Sequence, residues 1–112
     1  MLEHTWCGAI AAGKPIFGLP VELGAAAGFF AEDADAVLHA RHNRLCKQHN
    51  WTPEEIADRC HIASFFGFDS VLWKIGLPTN LLLSIEADLA KIDQLRLFTI
   101  DNAALVYGGE EN

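Results

Sequence analysis

The sequence contains few cysteines and no spacing that would pair them. Cys7, Cys46 and Cys60 are an odd number, whereas disulfide-stabilised secreted domains carry an even number. Residues 1–6 include an acid and a histidine instead of the basic stretch and apolar run of a secretory signal. We therefore expect free thiols and a reducing, cytoplasmic location.

Basic residues are also scarce, and no apolar run suits a membrane span. Eight Lys and Arg stand against fifteen Asp and Glu, which gives a formal net charge of -7. Such a surface repels phosphate backbones, so we expect no nucleic-acid binding. The apolar stretch at residues 16–31 is interrupted by Pro20 and Glu22, and it is shorter than the roughly 20 residues that cross a bilayer. The expected partners are small molecules, cations or basic protein surfaces, and no membrane.

The sequence is rich in apolar side chains for its size. Of its 112 residues, 51% are hydrophobic, including seven Phe and three Trp. This length predicts one domain, at residues 1–107, with a solvated tail at 108–112. Its N-terminal segment, 1–30, is rich in Gly and Ala and forms helix poorly unless close packing compensates. Small domains cannot bury every large apolar side chain, so the surplus predicts a homo-oligomer.

The strongest local signal is the start of a helix near the middle of the chain. Thr52-Pro53-Glu54-Glu55 has the pattern of a capping box with proline at the first helical position. Trp51 and Ile56 are placed to form a hydrophobic staple around it. We expect this helix to end at Gly67. Its buried side chains would be Ile56, Cys60, Ala63 and Phe66.

Two other helices are predicted by hydrophobic periodicity. Residues 34–49 carry an apolar stripe centred on Leu38 and Leu45, with Asp33 as the N-cap and Asn50 near the end. Residues 80–94 repeat large apolar side chains at intervals of three and four. These are Leu82, Ile85, Leu89 and Ile92.

The remaining segments are ambiguous. Residues 20–30 are interpreted as a short helix, and residues 69–76 as a helix or as a strand with Val71, Trp73 and Ile75 on one face. Residues 95–107 fit either two strands around an Asp101-Asn102 turn or a short helix capped by Asp101. The predicted fold is mainly α, a compact bundle of four or five helices with or without a small C-terminal β-hairpin. The alternative is an α+β fold.

One edge of the predicted helix 34–49 collects side chains that bind metals. At about 100° per residue, five of them fall within an arc of roughly 80° beside the apolar stripe. They are Asp35, His39, His42, Cys46 and His49. Carboxylate, imidazole and thiolate are zinc ligands, so the edge predicts a metal site at His39, His42, Cys46 and His49, with zinc as the cofactor if there is one.

One straight helix cannot surround an ion, because His39 and His49 would lie roughly 15 Å apart along its axis. Further ligands would be needed, either Asp35 on the same helix or donors from other elements. The available donors are Cys60 and His61, or His4 and Cys7 at the N-terminus. The alternative interpretation is structural, since histidines commonly lie at the border of core and solvent and cysteine is often a small core residue. No HExxH or paired CxxC spacing decides between the two. No catalytic residue can be named.

Two further patterns are weaker. Residues 8–15 nearly match a phosphate-binding loop, but Pro15 replaces the hydroxyl that binds magnesium, and too few residues precede Gly8 to supply the strand that such a loop follows. We therefore reject a nucleotide loop there. Several aromatic residues are expected to line a pocket or an interface. They are Trp51, Phe65, Phe66, Phe68 and Trp73.

Three functions of different classes fit these observations. The first and preferred one is a small acidic binding or regulatory protein that acts as a homo-oligomer. The second is a metal-binding protein or metalloenzyme that uses the His/Cys helix edge. The third is an inhibitor or immunity-type protein whose acidic surface covers a basic partner site.

Overall fold

The chain forms an α+β fold built on a parallel sheet, and the prediction of a mainly helical bundle is wrong. The computed structural model describes residues 2–67, 72–74 and 76–101. The elements in chain order are α1 (Leu2–Ala12), β1 (Ala25–Phe30), α2 (Asp35–His49), α3 (Pro53–Ile56), β2 (Cys60–Ser64), β3 (Trp73–Lys74), β4 (Leu77–Pro78), α4 (Asn80–Ala90) and β5 (Leu95–Asp101).

Three strands form the main sheet in the order β2-β1-β5, and both pairings are parallel. The chain leaves β1 through α2 and α3 to reach β2 on one side, and then passes through α4 to β5 on the other side. The short strands β3 and β4 pair antiparallel in a separate ribbon. β1 is therefore the central strand of this sheet, with β2 on one side and β5 on the other.

Burial on both faces explains why β1 is a strand and not the helix predicted at residues 20–30. All six of its residues are buried, as is usual for the central strand of a parallel sheet. Its small side chains let helices and neighbouring strands approach closely. A Cβ on Gly28 would lie 2.6 Å from the Phe30 ring and 3.2 Å from Thr99 Oγ1, so this position has room only for glycine.

The capping box is confirmed, but the helix it begins is much shorter than predicted. The Glu55 carboxylate accepts a hydrogen bond from the Thr52 amide at 3.2 Å, and α3 then ends at Ile56. The predicted continuation to Gly67 is wrong because Cys60–Ser64 forms β2. Pairing with β1 satisfies the backbone of this segment, beginning with the Ala26 amide, which donates to Arg59 O at 2.8 Å.

The two periodic helices are confirmed. The segment predicted at 34–49 forms α2, which ends at Asn50 in the left-handed conformation with φ 59°. The segment predicted at 80–94 forms α4, whose N-cap Thr79 accepts a hydrogen bond from the Leu82 amide at 3.3 Å. This helix ends at Ala90, four residues earlier than predicted.

In the C-terminal region the strand predicted from residue 95 is confirmed. Leu95–Asp101 forms β5, which pairs parallel with β1. The second arm proposed at 103–107 and the tail at 108–112 lie outside the described residues. Trp73–Lys74 pairs with β4, while most of the ambiguous segment around it, residues 69–71 and 75, also lies outside them.

The core is divided between the two faces of the sheet. On the first face, α1, α2 and α3 enclose one cluster of buried side chains, which are Ala9, Ala11, Ile16, Leu45, Cys46, Trp51 and Ile56. On the second face, α4 covers a smaller cluster, which is Phe29, Ala31, Leu72 and Leu82. Within the described ranges, no helix has the length and apolar character needed to cross a bilayer.

Candidate functional site

The three parallel strands end side by side, at what we call the carboxyl edge. Phe30, the last residue of β1, is in register with Ser64 of β2 and Asp101 of β5. Two backbone hydrogen bonds join the ends of the strands here: the Ala31 amide donates to Asp101 O at 2.7 Å, and the Phe65 amide donates to Phe30 O at 2.9 Å. The loop that follows β1 therefore begins beside the end of β5.

This loop carries two adjacent carboxylates, Glu32 and Asp33, in different environments. Ser64 Oγ donates to Asp33 O at 2.6 Å, which ties the loop to the end of β2. Arg41 Nη1 on α2 lies 3.2 Å from Asp33 Oδ2, and the two side chains are only 15% and 26% exposed. Glu32 is exposed, and Asp101 across the edge is half-buried. The edge thus presents carboxylates of two neighbouring strands together with one arginine.

The N-terminus of α2 meets the same loop. The predicted N-cap, Asp33, is wrong: the N-cap is Ala34, and no side chain forms a cap hydrogen bond there. Asp33 turns to Arg41 instead. The first turn of a helix has unpaired backbone N–H groups and a partial positive charge, which favour anions. The carboxyl edge therefore combines groups suited to a cation with a helix end suited to an anion.

A buried histidine pair lies between α1 and α2. His4 is 1% exposed, and its Nε2 lies 3.0 Å from His42 Nδ1, with the two rings stacked. His4 Nδ1 is buried without a hydrogen-bond partner in the described part of the chain. Burial, helped by the nearby His42 and Arg41, lowers the pKa of His4 to about 4. Burial also lowers the pKa of His42, with a smaller contribution from His39.

The predicted metal-binding edge of α2 is divided between two places. His39, His42 and Asp35 line a cavity of about 210 Å³ together with His4 and Cys60. Near the other end of the helix, Cys46 is buried in the core and His49 stacks on Trp51 at 4.7 Å. His61 is exposed on β2. Among the residues that the structure describes, no three His, Cys, Asp or Glu side chains are arranged to hold a metal ion.

The thiols lie in surroundings that keep them protonated. Burial raises the pKa of Cys60 to about 12 and that of Cys7 to about 11. The pKa of Cys46 is also raised, first by burial and then by Glu54 and Glu55. Since the thiolate is the nucleophile and the metal ligand, these three thiols are poor candidates for either role. All three are free of disulfides.

The second face of the sheet bears an apolar groove of about 560 Å³ beneath α4. The sheet contributes mostly small residues, and α4 contributes part of the stripe predicted from sequence. Its lining residues include Ala27, Gly28, Ala63, Phe65, Ile85, Leu89, Ile92 and Phe98, with His61 and Asp88 as the polar members. We call this the α4 groove.

The predicted pocket aromatics occupy different environments. Trp51 is 5% exposed in the first core cluster. Phe65 stacks on Phe29 with ring centroids 4.2 Å apart and lines the α4 groove, whereas Phe66 is 57% exposed. Phe68 lies outside the described residues, and of Trp73 only its place in β3 is described.

The segment that resembles a phosphate loop lies within helix α1 up to Ala12. Its lysine, Lys14, donates to Asn50 O at 3.2 Å and to Glu55 Oε1 at 3.4 Å. This lysine therefore links the turn after α1 to the start of α3, which agrees with our rejection of a nucleotide loop.

Sequence reasoning missed Glu32 and Asp101 as candidate site residues, and it considered His4 only as a further donor to a metal. The contact of His4 with His42 carried no local signal, because the two residues are 38 positions apart. The two carboxylates did carry a signal: each follows directly after a short, mostly apolar run, at 25–31 and 97–100. Interpreting those runs as parallel strands would have brought both carboxylates to one edge.

Comparison with known proteins does not add to this geometry. No family model matches the chain, and neither a curated protein nor a solved structure has significant similarity to it. The candidate site is therefore defined by the arrangement of its own residues: the carboxyl edge of the sheet, with the α4 groove on one face.

Proposed function

We propose that this domain binds a phosphate-bearing small molecule at its carboxyl edge, through a divalent cation such as Mg²⁺. The observation that carries the proposal is the pairing of β1 with β5, which aligns the carboxylates after one strand with the carboxylate that ends the other. The proposal makes the preferred function, a binding protein, more specific.

The strand order supports this location. In open parallel sheets, ligands bind outside the carboxyl ends of the strands, where the strand order reverses. Here the chain leaves β1 toward β2 and returns later to place β5 on the opposite side of β1. The reversal lies between β1 and β5, next to Glu32 and Asp101.

The chemistry of the edge supports a cation bound together with an anionic ligand. Mg²⁺ keeps several waters and is usually held by one or two carboxylates plus the phosphates of its ligand. Such a site needs no cage of three protein ligands, and none is present among the described residues. Glu32 and Asp101 would supply the carboxylates. A bare phosphate would be repelled by them, so its binding should depend on the cation.

The anionic end of the ligand has two supporting groups. The N-terminus of α2 has no side-chain cap, and helix N-termini bind phosphate through backbone N–H groups. Arg41 is held 3.2 Å from Asp33 at the same place, and a guanidinium is suited to phosphate oxygens.

Other parts of the initial hypotheses are kept as proposals. A homo-oligomer is supported by exposed large apolar side chains such as Phe17, Leu77 and Phe66. A cytoplasmic location is supported by three free cysteines. A zinc site at the divided α2 edge and an inhibitor role each have less support, because the former lacks converging ligands in the described residues and the latter rests on net charge alone.

Calorimetric titration tests the proposed function, with MgCl₂ alone, pyrophosphate alone, and pyrophosphate or ATP with MgCl₂ as the probes. We expect pyrophosphate to bind only when Mg²⁺ is present. Asp101→Asn and Glu32→Gln should each weaken that binding by about tenfold, since a charge-assisted contact contributes about 1.5 kcal/mol or more.

Asp58→Asn is the matched control, because it removes an exposed carboxylate that precedes β2, at the opposite edge of the sheet. It should leave the affinity unchanged. Binding that ignores Mg²⁺, binding that the edge variants do not weaken, or no binding of either phosphate probe would each refute the proposal. Thermal unfolding of every variant shows that it is folded.

A further inference from the structure

We propose that the α4 groove is a second binding site, for an aromatic, largely apolar small molecule that is neutral or carries one positive charge. This inference is independent of the carboxyl edge. It rests on the shape, lining and charge of the groove.

The groove exists because α4 packs tightly on the sheet only at its first turns. There Leu82 is 9% exposed and contacts the cluster that includes Leu72, which is 1% exposed. Further along α4 and just after its end, the apolar side chains Ile85, Leu89 and Ile92 remain half-buried. Opposite them the sheet presents small residues, so the space between helix and sheet stays open.

The floor of the groove is made of alanines that face α4. Side chains alternate along a strand, so Ala27 lies on the same face as Phe29, which packs with Leu82. Ala63 on β2 is the register partner of Phe29 and lines the groove with it. Larger side chains at these two positions would fill the space, because both Cβ atoms point into it.

The size of the groove favours a small molecule over a protein partner. Ligand pockets commonly have volumes of about 300 to 1,000 Å³, and the α4 groove has about 560 Å³. The stacked rings of Phe29 and Phe65 and the nearby Phe98 provide aromatic surfaces against which a planar ring can pack.

The charges at the groove select among apolar molecules. Asp88 lines it with a side chain that is 79% exposed and only loosely paired with Lys91 at 3.9 Å. The chain as a whole has a formal net charge of -7. An anionic group entering the groove would therefore be repelled, while a neutral or cationic one would not.

Fluorescence titration with two related probes tests the inference. N-phenyl-1-naphthylamine is neutral, and 1-anilinonaphthalene-8-sulfonate has nearly the same ring system with a negative charge. We expect the neutral probe to bind with one site per chain, and the anionic probe to bind about tenfold more weakly because of the charge near the site.

Ala63→Leu fills the groove, and Ala87→Leu makes the same change on the exposed side of α4. We expect Ala63→Leu to reduce affinity for the neutral probe by about tenfold while the melting temperature stays level or rises, since added side-chain carbons fill an apolar void. Ala87→Leu should leave the affinity unchanged.

Four outcomes would overturn the inference. They are no binding of the neutral probe, equal affinity for the two probes, unchanged affinity in Ala63→Leu, and light scattering in which Ala63→Leu converts an oligomer to a monomer. The last result would show that a second copy of the chain occupies the groove. If Ala63→Leu does not fold, Ala27→Val is tested with the same expectation.

Discussion

The two faces of the parallel sheet are covered very differently. On the face covered by α1, α2 and α3, the large side chains Leu45, Trp51 and Ile56 are between 0% and 5% exposed. On the face covered by α4, most large side chains of the helix and of β5 remain half-buried. We therefore expect the first face to contribute more to stability than the second, where open space remains beside α4.

Small residues in α1 explain the closer packing of the first face. A Cβ on Gly8 would overlap the ring of Trp51, so the absence of a side chain lets the indole lie against the helix. Ala9 and Ala11 are fully buried beside it. The stripe of α4 consists instead of Leu and Ile, which require more space between a helix and a sheet than alanines do.

The largest expected effect compares the same substitution on the two faces. Leu45→Ala should lower the free energy of unfolding by about 3 kcal/mol, since a fully buried leucine leaves a cavity. Leu89→Ala should lower it by only about 1 kcal/mol, because the half-buried side chain loses less contact. Urea unfolding followed by tryptophan fluorescence measures both. Equal losses would mean that α4 is packed as closely as the other helices.

The second effect is a pH dependence that belongs to the first face alone. The pKa of His4 is about 4 in the folded protein, against its ordinary value of 6.5, so the unfolded chain binds the proton first as the pH falls. The contribution of neutral His4 to the free energy of unfolding is complete above pH 6.5 and is lost as the pH falls from 6.5 to 4. Proton linkage predicts that the free energy of unfolding falls by about 2 kcal/mol between pH 7 and pH 5 because of His4. The lowered pKa of His42 adds a further decrease.

Unfolding in urea at a series of pH values measures this dependence. His4→Leu should flatten it, while His61→Asn, which changes an exposed histidine of β2, should leave it in place. A slope that survives His4→Leu would show that groups other than the pair between α1 and α2 control acid sensitivity.

The smallest expected effect concerns the close contact between α1 and the ring of Trp51. Gly8→Ala should lower the free energy of unfolding by about 1 kcal/mol, because the cost of overpacking against Trp51 exceeds the gain in helix propensity. Trp51→Phe in the same chain should recover part of the loss, and a double-mutant cycle measures that coupling. An increase in stability would show that the indole can move aside, and that the first face is less rigid than its burial indicates.

Features controlled by neighbouring residues were predictable from the sequence. The capping box at Thr52 and Glu55, the left-handed end of α2 at Asn50 and the periodic stripe of α4 all depend on contacts within a few positions. Such local contacts form in the same way in different tertiary structures. The predicted buried side of α4 is the side that faces the sheet.

The parallel strands were not predictable by the same reasoning. Ala25–Phe30 lacks β-branched residues and alternation, and Cys60–Ser64 follows a strong helix start. Both are strands because they pair with each other, and β1 also pairs with β5, across separations of about 35 to 70 residues. Local propensity is outweighed by backbone hydrogen bonds and burial on both faces. The residues of the predicted metal site do not come together in the described structure for a related reason: the two ends of α2 contact different neighbours.

The sequence by itself determined the composition of the protein: few basic residues, no paired cysteines and an excess of apolar side chains. It also determined where α3 begins and where α2 and α4 lie along the chain. Tertiary structure alone decided that the apolar excess is buried unequally, with a closed core under three helices and an open groove under one. It also decided that Glu32 and Asp101 share an edge. The physical reason is that these properties depend on which strands pair, and that choice is made by contacts between distant residues.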